Sequence, residues 1–290
     1  MPIVLTVGSL HYDILVEVDH LPRKDETATG SRWYPKFGGK GGNQAVAAAK
    51  AGVGSRMVGA VGDDGFGDYL RTNLCKGRVE DQFVATVPGV GSGMSVAIQD
   101  RAGDYAATIV SGANLMIPHE TLTNPAVWNL VSVLVLQNEI PQAVNIAAAT
   151  AARARGLCTV LNAAPCRPLS DALRGLIDIL VVNAVEAEMM GAGQVGSLED
   201  AEKAAQHLAG QFATVIVTAG AEGLAVAGAR DGVFMLAAEK VQVVSSHGAG
   251  DSFIGTLAAR LAGGRGLEHA CRDAARAAAR HVAGIPGDGG

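Results

Sequence analysis

The stretch Ser245-Ser246-His247-Gly248-Ala249-Gly250-Asp251-Ser252-Phe253-Ile254-Gly255 runs from a turn of small residues straight into an apolar helix with a carboxylate in its first turn. A helix start leaves about four backbone N–H groups without intrahelical partners and carries roughly half a positive charge. Such a turn therefore suits phosphate, or any oxygen that is gaining negative charge. Gly248, Ala249 and Gly250 keep the backbone bare enough for an anion to come close. Asp251 reads in two ways, as an acid favourable to a helix start or as the group that accepts a hydroxyl proton while that oxygen attacks phosphorus. These residues alone leave both readings open.

A second glycine cluster, Phe37-Gly38-Gly39-Lys40-Gly41-Gly42-Asn43-Gln44-Ala45-Val46-Ala47-Ala48-Ala49-Lys50-Ala51-Gly52, is again a bare turn feeding an alanine-rich helix, now with an ammonium and an amide at the turn. In this order, near opposite ends of a chain of 290 residues, the two stretches resemble the paired signatures of the ribokinase-like carbohydrate kinases, the phosphofructokinase B type. The resemblance implies an α/β fold, with a doubly wound, mainly parallel sheet flanked by helices and a small β-sheet lid. The implied activity is transfer of the γ-phosphoryl of ATP, with Mg²⁺, to a sugar hydroxyl.

Composition fits such an enzyme: 49% apolar and 18% charged residues are ordinary for a globular chain able to bury a sizeable core. A net charge of -5 and a pI near 5.8 exclude a general nucleic-acid or anionic-membrane partner and leave a small molecule. Cys75, Cys158, Cys166 and Cys271 form no Cys-x-x-Cys pair, and the histidines form no His-Glu-x-x-His, so neither a zinc site nor a disulfide framework is indicated. Met1-Pro2 passes directly into Ile3-Val4-Leu5-Thr6-Val7 with no basic leader, and no apolar run is long enough to span a bilayer; a cytoplasmic location is expected.

In chain order, residues 3–7 read as a buried first strand, which Gly8-Ser9 ends where a parallel sheet presents its C-terminal edge to ligands. Asp13 follows in what reads as a loop, either as a loop cap or, as the resemblance implies, as a ligand of sugar hydroxyls. Residues 14–34 alternate loosely around Leu21-Pro22-Arg23-Lys24-Asp25 and read as lid strands, while 93–99 and 105–110 read as a hairpin completing the lid. The resemblance implies that this lid covers the sugar and makes a homodimer contact. A helix over 41–51, a strand over 56–61 and a structural turn at Gly62-Asp63-Asp64-Gly65-Phe66-Gly67 lie between the lid pairs. Beyond Pro118 the pattern becomes regular: strands at 131–136, 159–162, 179–182 and 215–218, helices at 141–155 and 169–176, and two helices after 182. Ser197-Leu198-Glu199-Asp200 opens the second of these helices as a capping-box variant, and 223–227 with 233–236 read as an antiparallel pair. This alternation implies parallel βαβ units in one kinase domain over 1–290.

No Gly-x-x-x-x-Gly-Lys-Ser/Thr loop, Gly-x-Ser-x-Gly elbow or dinucleotide fingerprint occurs, which leaves phosphate binding at the Gly248 turn. The resemblance makes Asp251 the base and gives the backbone of Gly248, Ala249 and Gly250 the charge on the transferring group. It gives the sugar to Asp13, Gly39, Lys40, Asn43 and Glu139, the last from Gln137-Asn138-Glu139-Ile140-Pro141. Asn183-Ala184-Val185-Glu186 resembles the family's Asn-x-x-Glu, with Asn183 toward the nucleotide and Glu186 toward Mg²⁺ through water; Glu186 also reads as an ordinary first-turn acid. Thr218, Gly220 and Gly223 match a Thr-x-Gly-x-x-Gly nucleotide loop, and Asn162-Ala163-Ala164-Pro165 resembles a further family element. Ribose is the first expected substrate, because the Gly39 cluster and the Glu139 element resemble the ribokinase branch most; another sugar, a nucleoside, or a catalytically silent sugar-binding regulator are the alternatives.

The chain departs from the family pattern in two places. Ser245 stands where an acidic residue helps bind a monovalent cation, and the tail Pro286-Gly287-Asp288-Gly289-Gly290 is shorter than usual, so little activation by potassium is expected. His247, when protonated, is positioned in sequence to supply part of the missing positive character.

Overall fold

The computed structural model describes residues 1–230 and 232–285. Its first half comprises β1 (Ile3–Val7), β2 (His11–Val18), β3 (Gly30–Gly38), α1 (Lys40–Lys50), β4 (Gly54–Gly62), α2 (Gly65–Lys76), β5 (Val79–Val87), β6 (Met94–Gln99) and β7 (Tyr105–Val110). After three short 3-10 turns come β8 (Val131–Gln137), α3 (Gln142–Arg153), β9 (Cys158–Asn162), α4 (Asp171–Arg174), β10 (Ile179–Asn183), α5 (Ala184–Met189) and α6 (Leu198–Leu208). The remainder is β11 (Thr214–Thr218), β12 (Gly223–Gly228), β13 (Gly232–Ala237), α7 (Ala249–Ala262) and α8 (Leu267–Val282).

The larger sheet runs β13-β12-β11-β10-β9-β8-β1-β4-β5, parallel from β11 through to β5, with β12 and β13 antiparallel at one edge. Both faces are covered, and the two-residue period of the strands sorts the core. Leu5, Leu134, Leu161 and Val215 point to the face packed by Val144 and Ala148 of α3 and Leu208 of α6. Val4, Val133, Val160 and Ile216 point to the face packed by Phe253 and Leu257 of α7 and Ala270 of α8. The anticipated strand–helix alternation beyond Pro118 is present, and Ser197 Oγ accepts the Asp200 N–H at 3.1 Å to start α6.

Three elements differ from expectation. β5 lacks a sequence signal because it is a half-exposed edge strand that opens Val79-Glu80-Asp81-Gln82, with no apolar run. The helix anticipated over 169–176 shrinks to α4, because Leu169 precedes the Ser170 N-cap and Gly175 ends the turn. Asp13 lies inside β2 and not in a loop, since pairing with β3 begins as early as His11.

That pairing builds the small sheet, ordered β3-β2-β6-β7, in which β2 runs antiparallel to β3 and parallel to β6, and β6 and β7 form the anticipated hairpin. Tyr12 anchors its base, stacking on Phe66 with centroids 4.0 Å apart and meeting Tyr69 edge-on. The Gly62 to Gly67 turn is structural: Asp64 accepts from Gly67 N–H and Ser92 N–H, each at 2.8 Å. Among the described residues no helix is long and apolar enough to cross a membrane.

Candidate active site

The site forms where the C-terminal ends of β1 and β8 meet the starts of α1 and α7. At Gly8 a side chain would collide with the Gln137 amide, so glycine leaves room for that amide, which donates from Nε2 to Val7 O at 3.0 Å and ties the end of β8 to that of β1. Beyond that contact Glu139 Oε2 accepts the Ser9 hydroxyl at 2.5 Å and the Lys40 N–H at 2.9 Å, and His11 Nδ1 lies 3.9 Å away. Glu139 is thus the acid at the positive end of α1, a helix distant from it in sequence.

Asp13 faces the same edge from the small sheet. Its neighbours across the strands are Lys36 on β3 and Ser95 on β6, and Ser95 Oγ donates to Asp13 Oδ1 at 2.5 Å. The other carboxylate oxygen fills the space where a side chain at Gly38 would stand. Burial raises the Asp13 pKa, opposed by the Ser95 bond and by the charges of His11, His247 and Lys36. Burial likewise lowers the Lys36 pKa, with Asp13 opposing.

Asp251 is 9% exposed in the first turn of α7, and two amides from α1 hold its carboxylate: Asn43 Nδ2 donates to Oδ2 at 3.1 Å and Gln44 Nε2 to Oδ1 at 3.0 Å. Burial raises its pKa and a nearby Glu139 adds to that, while Lys40 and the two amides oppose it. The result is a dry, oriented carboxylate of increased basicity, the kind of group that accepts a proton from a neighbouring hydroxyl. The helices approach this closely because Gly255 has no side chain; a Cβ there would lie 2.4 Å from the Ala47 Cβ.

Two cavities meet at this residue. The larger, of ≈ 1020 Å³, is bordered at its inner end by Lys36, Asn43, His247, Gly248 and Asp251 and continues between α1, α7 and α8. The smaller, of ≈ 190 Å³, is lined by Lys40, Asn183, Glu186, Thr218, Gly248, Gly250 and Asp251. Asp251 and Gly248 border both.

Several anticipated residues sit differently from expectation. Lys40 lines the smaller cavity and Asn43 the larger, so the two residues of one motif face opposite sides of Asp251. Gly39 holds a positive φ of 85° at the N-cap of α1, where a Cβ would meet the His11 N and Leu10 backbone within 2.9 Å. Ala249 N–H turns back to Ser246 O at 3.3 Å, whereas Gly248 and Gly250 border the smaller cavity. Gly223 (φ 124°) packs against β13, where Leu236 O lies 2.1 Å from the place of its Cβ, and neither it nor Gly220 lines the smaller cavity. Partial burial, then Lys36, Lys40 and His281, lower the His247 pKa against Asp13, which works against the positive character anticipated for it.

Asn183 and Glu186 form a full capping box on α5, with Asn183 Oδ1 accepting Glu186 N–H at 2.8 Å and Glu186 Oε2 accepting Asn183 N–H at 2.9 Å. The first-turn reading of Glu186 therefore holds, and its 8% exposure is toward the smaller cavity. Among the described residues no group of three or more His, Cys, Asp and Glu is placed to hold a metal. A lone carboxylate with one oxygen already engaged suits an ion that keeps most of its water, which is the habit of Mg²⁺. The tail anticipated to be short, residues 286–290, lies outside the described residues.

Gln44, Lys36 and Ser95 were not singled out from sequence. Gln44 adjoins Asn43 in the quoted cluster, which was the available signal; Lys36 and Ser95 become neighbours of Asp13 only through strand register.

Known proteins resemble this chain over most of its length. Mouse (Mus musculus) ribokinase is 35% identical over 263 residues, covering 89% of this chain and 81% of that protein. Bacillus subtilis ribokinase is 32% identical over 289 residues, covering 99% and 95%. The structure of Arabidopsis thaliana ribokinase complexed with ribose and ATP superposes with a TM-score of 0.90 at 28% identity, covering 97% of this chain and 92% of that one. The model of the pfkB family of carbohydrate kinases matches residues 1–284, and the chain belongs to that family.

Proposed function

We propose that the protein is an ATP-dependent sugar kinase that phosphorylates the hydroxymethyl group of ribose, giving ribose 5-phosphate and ADP. The observation that carries this reading is the place of Asp251, buried where the two cavities meet and held by Asn43 and Gln44. Sugar is assigned to the side of Asp13, Asn43 and Glu139, with Gly39 shaping the turn, and nucleotide phosphates to the side of Asn183, Thr218 and Lys40. Asp251 accepts the hydroxyl proton, the sugar oxygen forms a bond to the γ-phosphorus, and the bond from that phosphorus to the bridging oxygen of ADP breaks. The N–H groups of Gly248 and Gly250 and the ammonium of Lys40 take up charge on the transferring group. Gly220 and Gly223 shape the nucleotide loop without facing the phosphates.

Glu186 is the group we assign to Mg²⁺, through water, in the smaller cavity; when bound, the ion neutralises charge on the nucleotide phosphates. The small sheet exposes Trp33 on β3 and Tyr105 on β7, 64% and 72% accessible, with Ile109 and Val110 also exposed on β7, and a second copy of the chain is the partner we assign to it. The cytoplasm is the compartment we assign to the reaction.

The test is ATP consumption over a panel of pentoses, hexoses and nucleosides. The expected result is the highest kcat/KM with ribose. A nucleoside turned over more efficiently would overturn the substrate, and binding of ribose without any ATP consumption would make the protein a regulator.

A further inference from the structure

Gly248 has φ 83° and ψ 0°, and Ala249 N–H donates to Ser246 O at 3.3 Å. These are the marks of a type II turn over residues 246–249 with Gly248 at its third position. Type I and type II turns share their outer residues and differ by rotating the central peptide through about half a revolution. Here the central peptide joins His247 to Gly248. Because a trans peptide is planar, its C=O and N–H point in opposite directions, so its orientation decides whether an anion in the smaller cavity meets the Gly248 N–H or the His247 carbonyl.

One side chain contacts that peptide from behind. His281, in the last turn of α8, places Nε2 2.9 Å from His247 O. A carbonyl only accepts, so His281 carries a proton on Nε2 and donates it. The same nitrogen lies 3.0 Å from where a Cβ of Gly248 would stand, so the ring rests directly on the turn.

We infer that His281 is a positioning residue for phosphoryl transfer: by holding the His247 carbonyl toward α8 it locks the 247–248 peptide in the type II orientation and aims the Gly248 N–H at the anion. The inference rests on the kinase reading above. It goes further in assigning a role to a residue 30 positions beyond Asp251, outside the groups assigned to either substrate.

The test uses the full chain with His281→Ala and His281→Gln, since the glutamine Nε2 is a donor at about the same reach. Two readouts are taken: kcat and KM for the sugar that the wild type turns over best, and affinity for the non-hydrolysable analogue AMP-PNP with magnesium by calorimetry. The alanine variant is expected to lose at least about tenfold in kcat, with sugar KM changed less than about twofold. This is smaller than the ~10²–10³ lost when such a donor is deleted, because the N–H remains and only its aim is lost. AMP-PNP affinity falls in the same variant, and the glutamine variant recovers both quantities. An alanine variant that keeps wild-type kcat and AMP-PNP affinity overturns the inference, and so does a glutamine variant as impaired as alanine, since that assigns the ring to anchoring α8. If the wild type phosphorylates nothing in the panel, the kinase reading fails while the AMP-PNP comparison still decides the role of His281.

Discussion

Gln44 Nε2 donates to Asp251 Oδ1 at 3.0 Å and to Asn162 Oδ1 at 3.1 Å, so one buried amide of α1 joins the start of α7 to the end of β9. Residues 118 and 207 positions away from it in sequence are thereby fixed to one another. A carboxylate held in this way keeps its direction with no help from water.

That relationship sets an expectation for pH. A base works only when ionised, and burial raises the Asp251 pKa, so the acid limb of kcat/KM should lie above the range of an ordinary aspartate, near ~3.9. The Gln44 bond favours the ionised form. Its removal in Gln44→Leu should therefore shift the acid limb to higher pH. A limb that stays in place or moves down, measured with the best substrate across the acid range, would assign the limb to another group.

Asp251→Asn should bind ribose and AMP-PNP but lose about 10²–10⁴-fold in kcat, because the amide keeps the shape of the carboxylate and accepts no proton. Calorimetry on the same preparation separates loss of chemistry from loss of binding. Near wild-type turnover would remove Asp251 from the role of base.

Asp13→Ala should act on the sugar alone. A hydrogen bond to a charged partner contributes about 1.5–3 kcal/mol, so KM for ribose should rise roughly tenfold to a hundredfold while KM for ATP stays within about twofold. A rise confined to ATP would exchange the two sides of Asp251 between the substrates.

Gly255→Ala tests the packing behind the base. The added carbon would meet the Ala47 Cβ at 2.4 Å and Gln44 O at 2.5 Å, so α1 and α7 must separate. Overpacking of this kind costs about 1–3 kcal/mol, and thermal unfolding should register it together with a fall in kcat. An unchanged melting temperature would show that the helices are not in close contact there.

Potassium should matter little. Ser245 carries no charge, and the Val282 carbonyl beside it already accepts from Val244 N–H at 2.7 Å and Ser245 N–H at 3.2 Å. Exchanging sodium for potassium at constant ionic strength should change kcat less than about twofold, or ~0.4 kcal/mol in the barrier. Tenfold activation would reveal a cation held by other oxygens.

The sequence by itself determined the larger sheet between β8 and β13, because buried parallel strands are short apolar runs separated by helices of regular length, a local pattern readable along the chain. It also marked the two glycine turns that begin α1 and α7, since Gly39 and Gly248 both hold a positive φ that residues with side chains rarely adopt. Tertiary structure alone decided the rest. Asp13 meets Lys36 and Ser95 through strand register, Glu139 sits at the start of a helix nearly a hundred residues before it, and His281 reaches the Gly248 turn from the end of α8. Such contacts leave no periodic trace in sequence, because each depends on where two distant segments end once the sheet has brought them together.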